Sequence, residues 1–189
     1  MFIDRDGTLI LEPEDEQIDS FEKLEFYPGL FQYLSRIAAE LEYELVMDTN
    51  QDGLGTASFP EESFWPAHNK MMRALENEGI GFREVLIDRS FPHENLPTRK
   101  PGTAMLTHYL KGDYNLADSY VIGDRDTDIQ LSINMGCKSI LLSNTSHPRA
   151  TLTTTDWGEI YRFLRAAPRT GKVHRKTSET DIRVEINLD

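Results

Sequence analysis

Short runs of apolar residues alternate along this chain with longer amphipathic segments of helical periodicity. The runs predict five strands: Met1–Asp4, Tyr43–Asp48, Glu84–Ile87, Ser119–Ile122 and Lys138–Leu142. The amphipathic segments predict five helices: Pro28–Leu41, Glu61–Glu78, Pro101–Leu110, Thr127–Met135 and Trp157–Ala166. Regular alternation of strand and helix favours a parallel sheet with helices on both faces. We therefore predict a doubly wound α/β fold.

The last 22 residues follow a different pattern. A basic segment over 165–172 ends the last helix, and Thr180–Leu188 then alternates apolar and polar side chains as a half-buried strand does. Nothing after this strand offers it a partner, so we expect it to lack a sheet of its own. The pattern predicts one domain over 1–167 and, over 168–189, a linker with the first strand of a second domain.

Composition narrows the classes of function. The net charge is −12, and an acidic surface repels nucleic-acid phosphates. Cys137 is the only cysteine, so no internal disulfide forms, which favours a reducing compartment. No apolar run approaches the roughly 20 residues of a membrane span, and the first residues do not resemble a signal peptide. These features predict a cytoplasmic protein that binds neither nucleic acid nor membrane.

The strongest motif follows the first strand, over residues 4–9. Asp4 can attack phosphorus as a nucleophile, and Asp6 can protonate the leaving alkoxide and later take a proton from water. Gly7 lets the backbone turn sharply away from the strand. A surface Asp-Gly turn is the alternative interpretation. The position on the first strand of an α/β pattern favours catalysis, because ligands bind at the carboxyl ends of such strands.

A second acidic motif, Gly123–Asp128, follows the fourth predicted strand. Mg²⁺ prefers oxygen ligands, so Asp124 is a natural carboxylate ligand beside Asp4 and the backbone carbonyl of Asp6. Asp128 lies one helical turn further, where it can contact metal-bound water, a lysine or helix amides. The motif predicts a magnesium site.

Polar residues at two further places complete the predicted site. The hydroxyl of Thr49, at the end of the second strand, can donate to a phosphoryl oxygen, and Asn50 can orient the nucleophile or the substrate. Lys100 precedes a predicted helix and can neutralise the phosphoryl group. Taken alone, Thr-Asn also suits a helix cap, and a lysine is usually solvated. The strand-end arrangement favours the catalytic interpretation.

These motifs, in this order over about residues 1–165, resemble the haloacid dehalogenase (HAD) superfamily of phosphatases. The short intervals between them leave no room for a large cap domain, so the capless branch is implied. The resemblance also implies Mg²⁺ as the cofactor, bound by Asp4, Asp6 and Asp124. The matching residues are the nucleophile Asp4, the acid–base Asp6, the phosphate-binding Thr49, Lys100, and the metal ligand Asp124.

Within that branch, the segments Phe2–Leu9, Thr49–Thr56 and Val121–Gln130 resemble histidinol-phosphatases. In the tail, Arg175–Ile182 resembles the opening strand of imidazoleglycerol-phosphate dehydratase, an enzyme of the same pathway. The resemblance implies Mg²⁺-dependent hydrolysis of the small phosphate ester L-histidinol phosphate, with a dehydratase domain as partner in a longer chain. The residues expected to bind substrate are Arg5, Asn50, Gln51 and Asp52. The acids considered for the substrate amine are Asp52, Glu12, Glu14 and Asp15.

Two departures from the family pattern stand out. Many relatives carry a zinc loop of three cysteines and a histidine before the Arg-Lys-Pro segment, but Asp88–Thr98 has no cysteine, so no zinc is expected. Asp48 puts a carboxylate into an apolar strand, where it is either exposed or an acid with a perturbed pKa.

Two other functions stay open. One is hydrolysis of a sugar phosphate such as a heptose bisphosphate. The other is a non-catalytic phosphate- or metal-binding module, against which the pair Asp4 and Asp6 argues.

Overall fold

A six-stranded parallel sheet forms the centre of the protein. The computed structural model describes residues 1–166, 170–177 and 179–187. The strands are β1 (Phe2–Ile3), β2 (Val46–Asn50), β3 (Glu84–Asp88), β4 (Tyr120–Gly123), β5 (Lys138–Leu142) and β6 (Leu152–Thr154). Their order is β3-β2-β1-β4-β5-β6. The chain thus leaves β1 toward one side and returns through β4 on the other, which places the switch point of the sheet at the end of β1.

Helices cover both faces of this sheet. They are α1 (Leu30–Glu40), α2 (Glu61–Asn77), α3 (Asp126–Met135) and α4 (Trp157–Arg165). The first, second and fourth helices share one apolar cluster with Ile3, Met47 and Ile122. On the other face, α3 and a segment of short turns pack on Phe2 and Val121. The prediction of a doubly wound, capless α/β fold is confirmed.

The predicted helix over Pro101–Leu110 is wrong. The structure has two single turns of 3-10 helix there, Ala104–Leu106 and Tyr109–Lys111. Gly102 lies so close to the preceding loop that an added Cβ would be 2.2 Å from the carbonyl oxygen of Pro97. That same oxygen accepts a hydrogen bond from Ala104 N at 3.0 Å. The chain is therefore folded into a tight turn against residues 97–99, which replaces the first helical turn.

The tail also differs from the prediction. Its strand β8 (Asp181–Asn187) pairs antiparallel with β7 (Thr170–Lys176), which the apolar pattern did not reveal because β7 is mostly polar. The expectation that the tail strand lacks a partner within this chain is therefore wrong. The predicted domain boundary between residues 167 and 168 lies outside the described residues, as does Leu188. Across the described residues, no helix has the length and apolar character needed to cross a membrane.

Candidate active site

The loop after β1 presents two carboxylates at the switch point of the sheet. The backbone N of Asp4 still bonds to Ile122 O at 2.9 Å, so Asp4 is held by the strand on its β4 side. The chain then turns within three residues. Gly7 has φ +69°, and a Cβ there would lie 2.3 Å from an oxygen of Asp124. Glycine is thus required both for the backbone conformation and for the close approach of Asp124.

Lys100 joins the two acidic motifs. Its Nζ lies 2.7 Å from Asp4 Oδ1 and 2.8 Å from Asp128 Oδ1, and all three residues are buried. Burial alone lowers the pKa of Lys100, but the carboxylates of Asp128, Asp4 and Asp48 raise it above its ordinary value. The ammonium charge therefore persists at any physiological pH and is aimed at Asp4. Of the contacts predicted for Asp128, the structure shows those with Lys100 and with a backbone amide, since the N of Arg125 donates to it at 3.1 Å.

Three carboxylates converge in a way that suits a cation. Oxygens of Asp4, Asp124 and Asp128 all lie within 4.8 Å of one another. Asp124 Oδ1 is buried without a hydrogen-bond partner. Burial and the charges of Asp4 and Asp128 raise the pKa of Asp124 to about 7. A bound cation would supply the missing partner of Asp124 and relieve the repulsion, so this donor set fits Mg²⁺.

Asp6 has a different environment from Asp4. Its Oδ2 accepts a hydrogen bond from Gln51 Nε2 at 2.5 Å and an ion-paired bond from Arg5 Nη1 at 3.3 Å. Burial raises the pKa of Asp6 to about 6, although Arg5 and Gln51 oppose that rise. Asp6 therefore holds a proton more readily near neutral pH than an ordinary aspartate. Such a separation of roles between two neighbouring carboxylates is typical of acid–base chemistry.

The end of β2 supplies the polar residues between these groups. Thr49 Oγ1 accepts a hydrogen bond from Gln51 Nε2 at 2.9 Å, which ties Thr49 to the amide that also bonds Asp6. Asn50 Oδ1 accepts a bond from Lys100 N at 3.0 Å, which fixes the backbone just where the lysine side chain begins. The structure thus brings the predicted Thr49, Asn50 and Lys100 together with Asp4 and Asp6.

Two residues predicted to bind substrate lie beneath the pocket. Arg5 is fully buried, with its guanidinium 4.7 Å from the ring centroid of Phe64. Gln51 is also buried, and neither residue lines the pocket. His68 stacks on Phe64, and burial and the charge of Arg5 lower the pKa of His68 to about 4. Arg5 and Gln51 act on the site through its other residues. Both side chains bond Asp6, Gln51 also bonds Thr49, and the backbone N of Arg5 donates to Asp4 Oδ1 at 2.7 Å.

The pocket above Asp4 has an acidic rim crossed by two arginines. Arg99 makes two bonds to Asp52, at 2.5 and 3.2 Å, and Arg125 contacts Glu12 at 2.6 Å. The residues lining the pocket are Asp4, Asp6, Glu12, Asp15, Glu16, Gln17, Thr49, Asn50, Asp52, Phe59, Arg99, Lys100, Arg125 and Thr127. Neither Arg99 nor Arg125 was predicted from the sequence. Their positions beside Lys100 and Asp124 were the available signal.

Comparisons with known proteins agree with this geometry. Residues 97–161 match a family model described as HAD-hydrolase-like. The chain is 52% identical to the histidine biosynthesis bifunctional protein HisB of Spirosoma linguale, covering 100% of this chain and 54% of that protein. It is also 52% identical to HisB of Bacteroides fragilis, covering 100% of this chain and 53% of that protein. The chain therefore spans about half the length of these curated relatives.

A solved structure shares the fold. It is the D,D-heptose 1,7-bisphosphate phosphatase of B. bronchiseptica, complexed with magnesium and phosphate. The TM-score is 0.74 at 24% identity, and the match covers 87% of this chain and 97% of that chain. At this identity, the likeness concerns the fold alone.

Proposed function

We propose that this chain is a phosphatase of the HAD-like hydrolases that hydrolyses L-histidinol phosphate through an aspartyl-phosphate on Asp4. The observation that carries the proposal is the contact between Asp4 and Lys100 at the switch point, with Asp6 two residues away. The relatives named for histidine biosynthesis support the choice of substrate. The proposed catalytic residues are Asp4, Asp6, Thr49 and Lys100.

In the first step, a carboxylate oxygen of Asp4 attacks phosphorus and the bond from phosphorus to the ester oxygen breaks. Asp6 gives its proton to the leaving alkoxide, and its raised pKa of about 6 suits that task. Lys100 and the Thr49 hydroxyl stabilise the negative charge on the phosphoryl oxygens, which is the main contribution that a protein makes to phosphoryl transfer.

In the second step, Asp6 takes a proton from water, and the resulting hydroxide attacks phosphorus. The bond between phosphorus and the Asp4 oxygen then breaks and inorganic phosphate leaves. Arg5 and Gln51 would serve both steps by holding Asp6 in one orientation, since both donate to the same oxygen, Oδ2. A single carboxyl group thus acts as acid and then as base.

We propose Mg²⁺ as the cofactor and expect no zinc. The residues that would hold it are Asp4 and Asp124 through their carboxylates and Asp6 through its backbone carbonyl. Asp128, the third carboxylate of the cluster, is ion-paired with Lys100 and would add negative charge beside the cation. When bound, Mg²⁺ supplies positive charge that offsets the phosphoryl group and the carboxylates around it. Asp88–Thr98 has no thiolate, so metal analysis of the purified protein should find no stoichiometric zinc. About one zinc per chain would contradict this.

The acidic rim supports a cationic substrate. Histidinol phosphate carries an amine, and Asp15, Glu16 and Asp52 face the pocket in which it would lie. Asp52 is already paired with Arg99. The substrate amine would therefore either displace Arg99 from Asp52 or bind Asp52 beside it. Asn50 and Asp52 are the proposed direct substrate contacts. The remaining part of the relatives' length supports a dehydratase partner domain beyond residue 167.

A substrate panel tests this proposal. The panel contains histidinol phosphate, D,D-heptose 1,7-bisphosphate and p-nitrophenyl phosphate, each with Mg²⁺ and with chelator. We expect the highest kcat/KM on histidinol phosphate and loss of turnover in chelator. A preference for the heptose bisphosphate would establish the second candidate. No turnover of any ester, with phosphate still bound, would indicate a binding module.

A further inference from the structure

The carboxylate of Asp88 accepts hydrogen bonds from residues at both ends of one loop. Asp88 is the last residue of β3 and is 4% exposed. Its Oδ1 accepts from the backbone N of Ser90 at 2.9 Å and from the hydroxyl of the same residue. Its Oδ2 accepts from Thr98 Oγ1 at 2.5 Å, ten residues along the chain. One side chain therefore closes the loop over residues 88–98.

Two connections lead from this closed loop to the active site. Thr98 is followed directly by Arg99 and Lys100, so its position sets where these two side chains start. Arg99 Nη1 also donates to Ser90 O at 2.7 Å and bonds Asp52 at the rim. In addition, the backbone O of Asp88 accepts from Gln51 N at 2.7 Å, next to Asn50, which holds Lys100 N.

None of the hydrogen bonds to Asp88 described above comes from a cationic side chain. The donors are two hydroxyls and one backbone amide, so the group does not serve as the ion pair of a catalytic cation. Both carboxylate oxygens are occupied, which distinguishes Asp88 from Asp124 and Asp6, each with one buried oxygen lacking a partner. A saturated buried carboxylate of this kind fixes geometry.

We propose that Asp88 is a positioning residue of the phosphatase, which places Lys100 and the Arg99–Asp52 pair by closing the 88–98 loop. The inference rests on the proposed function, because it assigns Lys100 to the phosphoryl group. Without the Asp88 bonds, residues 98–100 gain freedom and Lys100 Nζ spends less time between Asp4 and Asp128. Phosphate binding weakens as a result, although Asp88 touches neither phosphate nor Lys100.

The test combines phosphate affinity with amide exchange. Calorimetry with inorganic phosphate and Mg²⁺ is run on the wild type, Asp88→Ala, Lys100→Met and the double variant. We expect Asp88→Ala to weaken phosphate binding about tenfold, and the double variant to bind no more weakly than Lys100→Met alone. The proposal would be overturned if the two losses of phosphate affinity multiply in the double variant. It would also be overturned if Asp88→Ala changes phosphate affinity less than twofold.

Hydrogen exchange supplies a readout that does not depend on activity. In Asp88→Ala, exchange of the Lys100 amide should accelerate about tenfold, whereas exchange of the Asp4 amide, bonded to Ile122 O, should stay unchanged. Faster exchange with unaltered phosphate affinity would also overturn the positioning role. If Asp88→Ala does not fold, Thr98→Val removes one bond at nearly constant shape. It should weaken phosphate binding about threefold, and wild-type affinity would refute the proposal.

A matched control lies in the same loop. Glu94 Oε2 accepts from Phe91 N at 2.6 Å, a bond within one turn that links no distant residues. Glu94→Gln should therefore leave phosphate affinity unchanged, and an equal loss in this variant would count against Asp88. Wild-type turnover of histidinol phosphate is measured in parallel. Failure there, with phosphate binding intact, would refute the proposed substrate and leave the Asp88 result standing.

Discussion

Buried carboxylates at the carboxyl ends of the strands differ in whether both of their oxygens accept hydrogen bonds. At the ends of β1 and β4, Asp6 and Asp124 each keep a buried oxygen without a hydrogen-bond partner. At the end of β3, Asp88 accepts three hydrogen bonds from Ser90 and Thr98. A buried unsatisfied acceptor costs about 1–3 kcal/mol, so its presence needs a reason. At the β1 and β4 ends, the proposed cation and substrate would supply that reason.

This difference separates buried acids that bind ligands or react from buried acids that hold a loop in place. Residue type does not distinguish these aspartates, because all follow apolar strands at the same edge of the sheet. Their hydrogen-bond partners do: a buried oxygen without a partner, in the pocket or the carboxylate cluster, indicates a ligand site, and saturated oxygens indicate a fixed loop. Asp48 is a third case. It has a buried oxygen without a partner but does not line the pocket.

The largest effect should come from Asp4→Asn. An amide cannot attack phosphorus, so kcat should fall by more than roughly 10³-fold while the fold persists. The matched control is Asp126→Asn, an exposed acid at the start of α3, which should keep activity within twofold. Steady-state kinetics and circular dichroism measure both variants. A tenth or more of wild-type activity in Asp4→Asn would remove Asp4 as the nucleophile.

A smaller but clear effect is expected at the proposed metal site. Asp124→Ala removes one of three converging carboxylates, so the Mg²⁺ concentration for half-maximal activity should rise at least roughly tenfold. Titration of activity with Mg²⁺ measures it, with Asp126→Ala as control. Ca²⁺ should inhibit the wild type, because its looser coordination misplaces the nucleophile. Full activity in excess chelator would refute the site.

Asp48 should affect stability in a pH-dependent manner. Burial raises the pKa of Asp48 to about 7, well above its value in the unfolded chain. The folded protein therefore binds a proton that the unfolded chain releases, and stability falls as pH rises from about 4 to 7. Asp48→Asn removes this loss, so its effect on the free energy of unfolding should be more favourable at pH 8.5 than at pH 5 by on the order of 2 kcal/mol.

Urea unfolding in chelator at the two pH values measures the Asp48 effect. The exposed Asp113 offers a control, since Asp113→Asn should leave the pH dependence of the wild type intact. Equal pH dependence in the wild type and Asp48→Asn would show that Asp48 is ionised in the folded protein. From the sequence, Asp48 was expected to be either exposed or an acid with a perturbed pKa, and its burial in the structure agrees with the second.

Much of the fold and the proposed site could be predicted because both follow from strand ends. Apolar runs marked five of the six sheet strands, and β6 was missed because its three residues, Leu152–Thr154, contain a single apolar side chain. Asp4 ends a predicted strand, Thr49 follows one directly and Asp124 follows one after a single glycine. Parallel strands bring these ends together.

Features set by contacts across the chain could not be predicted. The turns that replace the helix after Pro101 depend on Gly102 lying against Pro97. The apolar periodicity of the sequence does not reveal that contact. The saturation of Asp88 depends on Thr98, ten residues away, and the burial of Arg5 depends on Phe64 in α2. Sequence patterns locate strand ends, but partners across loops emerge only in the folded chain.

The smallest effect is expected from deleting the tail, Thr170–Asp189. None of the proposed site residues lies in it. The described part forms a two-stranded sheet, β7 with β8, in which Val173, Ile182, Val184 and Ile186 are 44–65% exposed. An apolar face open to solvent suits a segment whose packing partners belong to another domain. The deletion should therefore keep kcat/KM within about twofold and leave the unfolding midpoint of the remaining domain nearly unchanged.

A slightly longer deletion provides the contrast that makes this prediction sharp. Removing 156–189 also removes Trp157, which is fully buried and donates from Nε1 to Thr8 O at 3.2 Å, in the loop that carries Asp4 and Asp6. That variant should lose most activity and stability, because α4 covers one face of the sheet. The border between a tolerated and a destructive deletion would then fall between α4 and β7. A large loss from the shorter deletion would place the tail in the phosphatase domain and refute the boundary at residue 167.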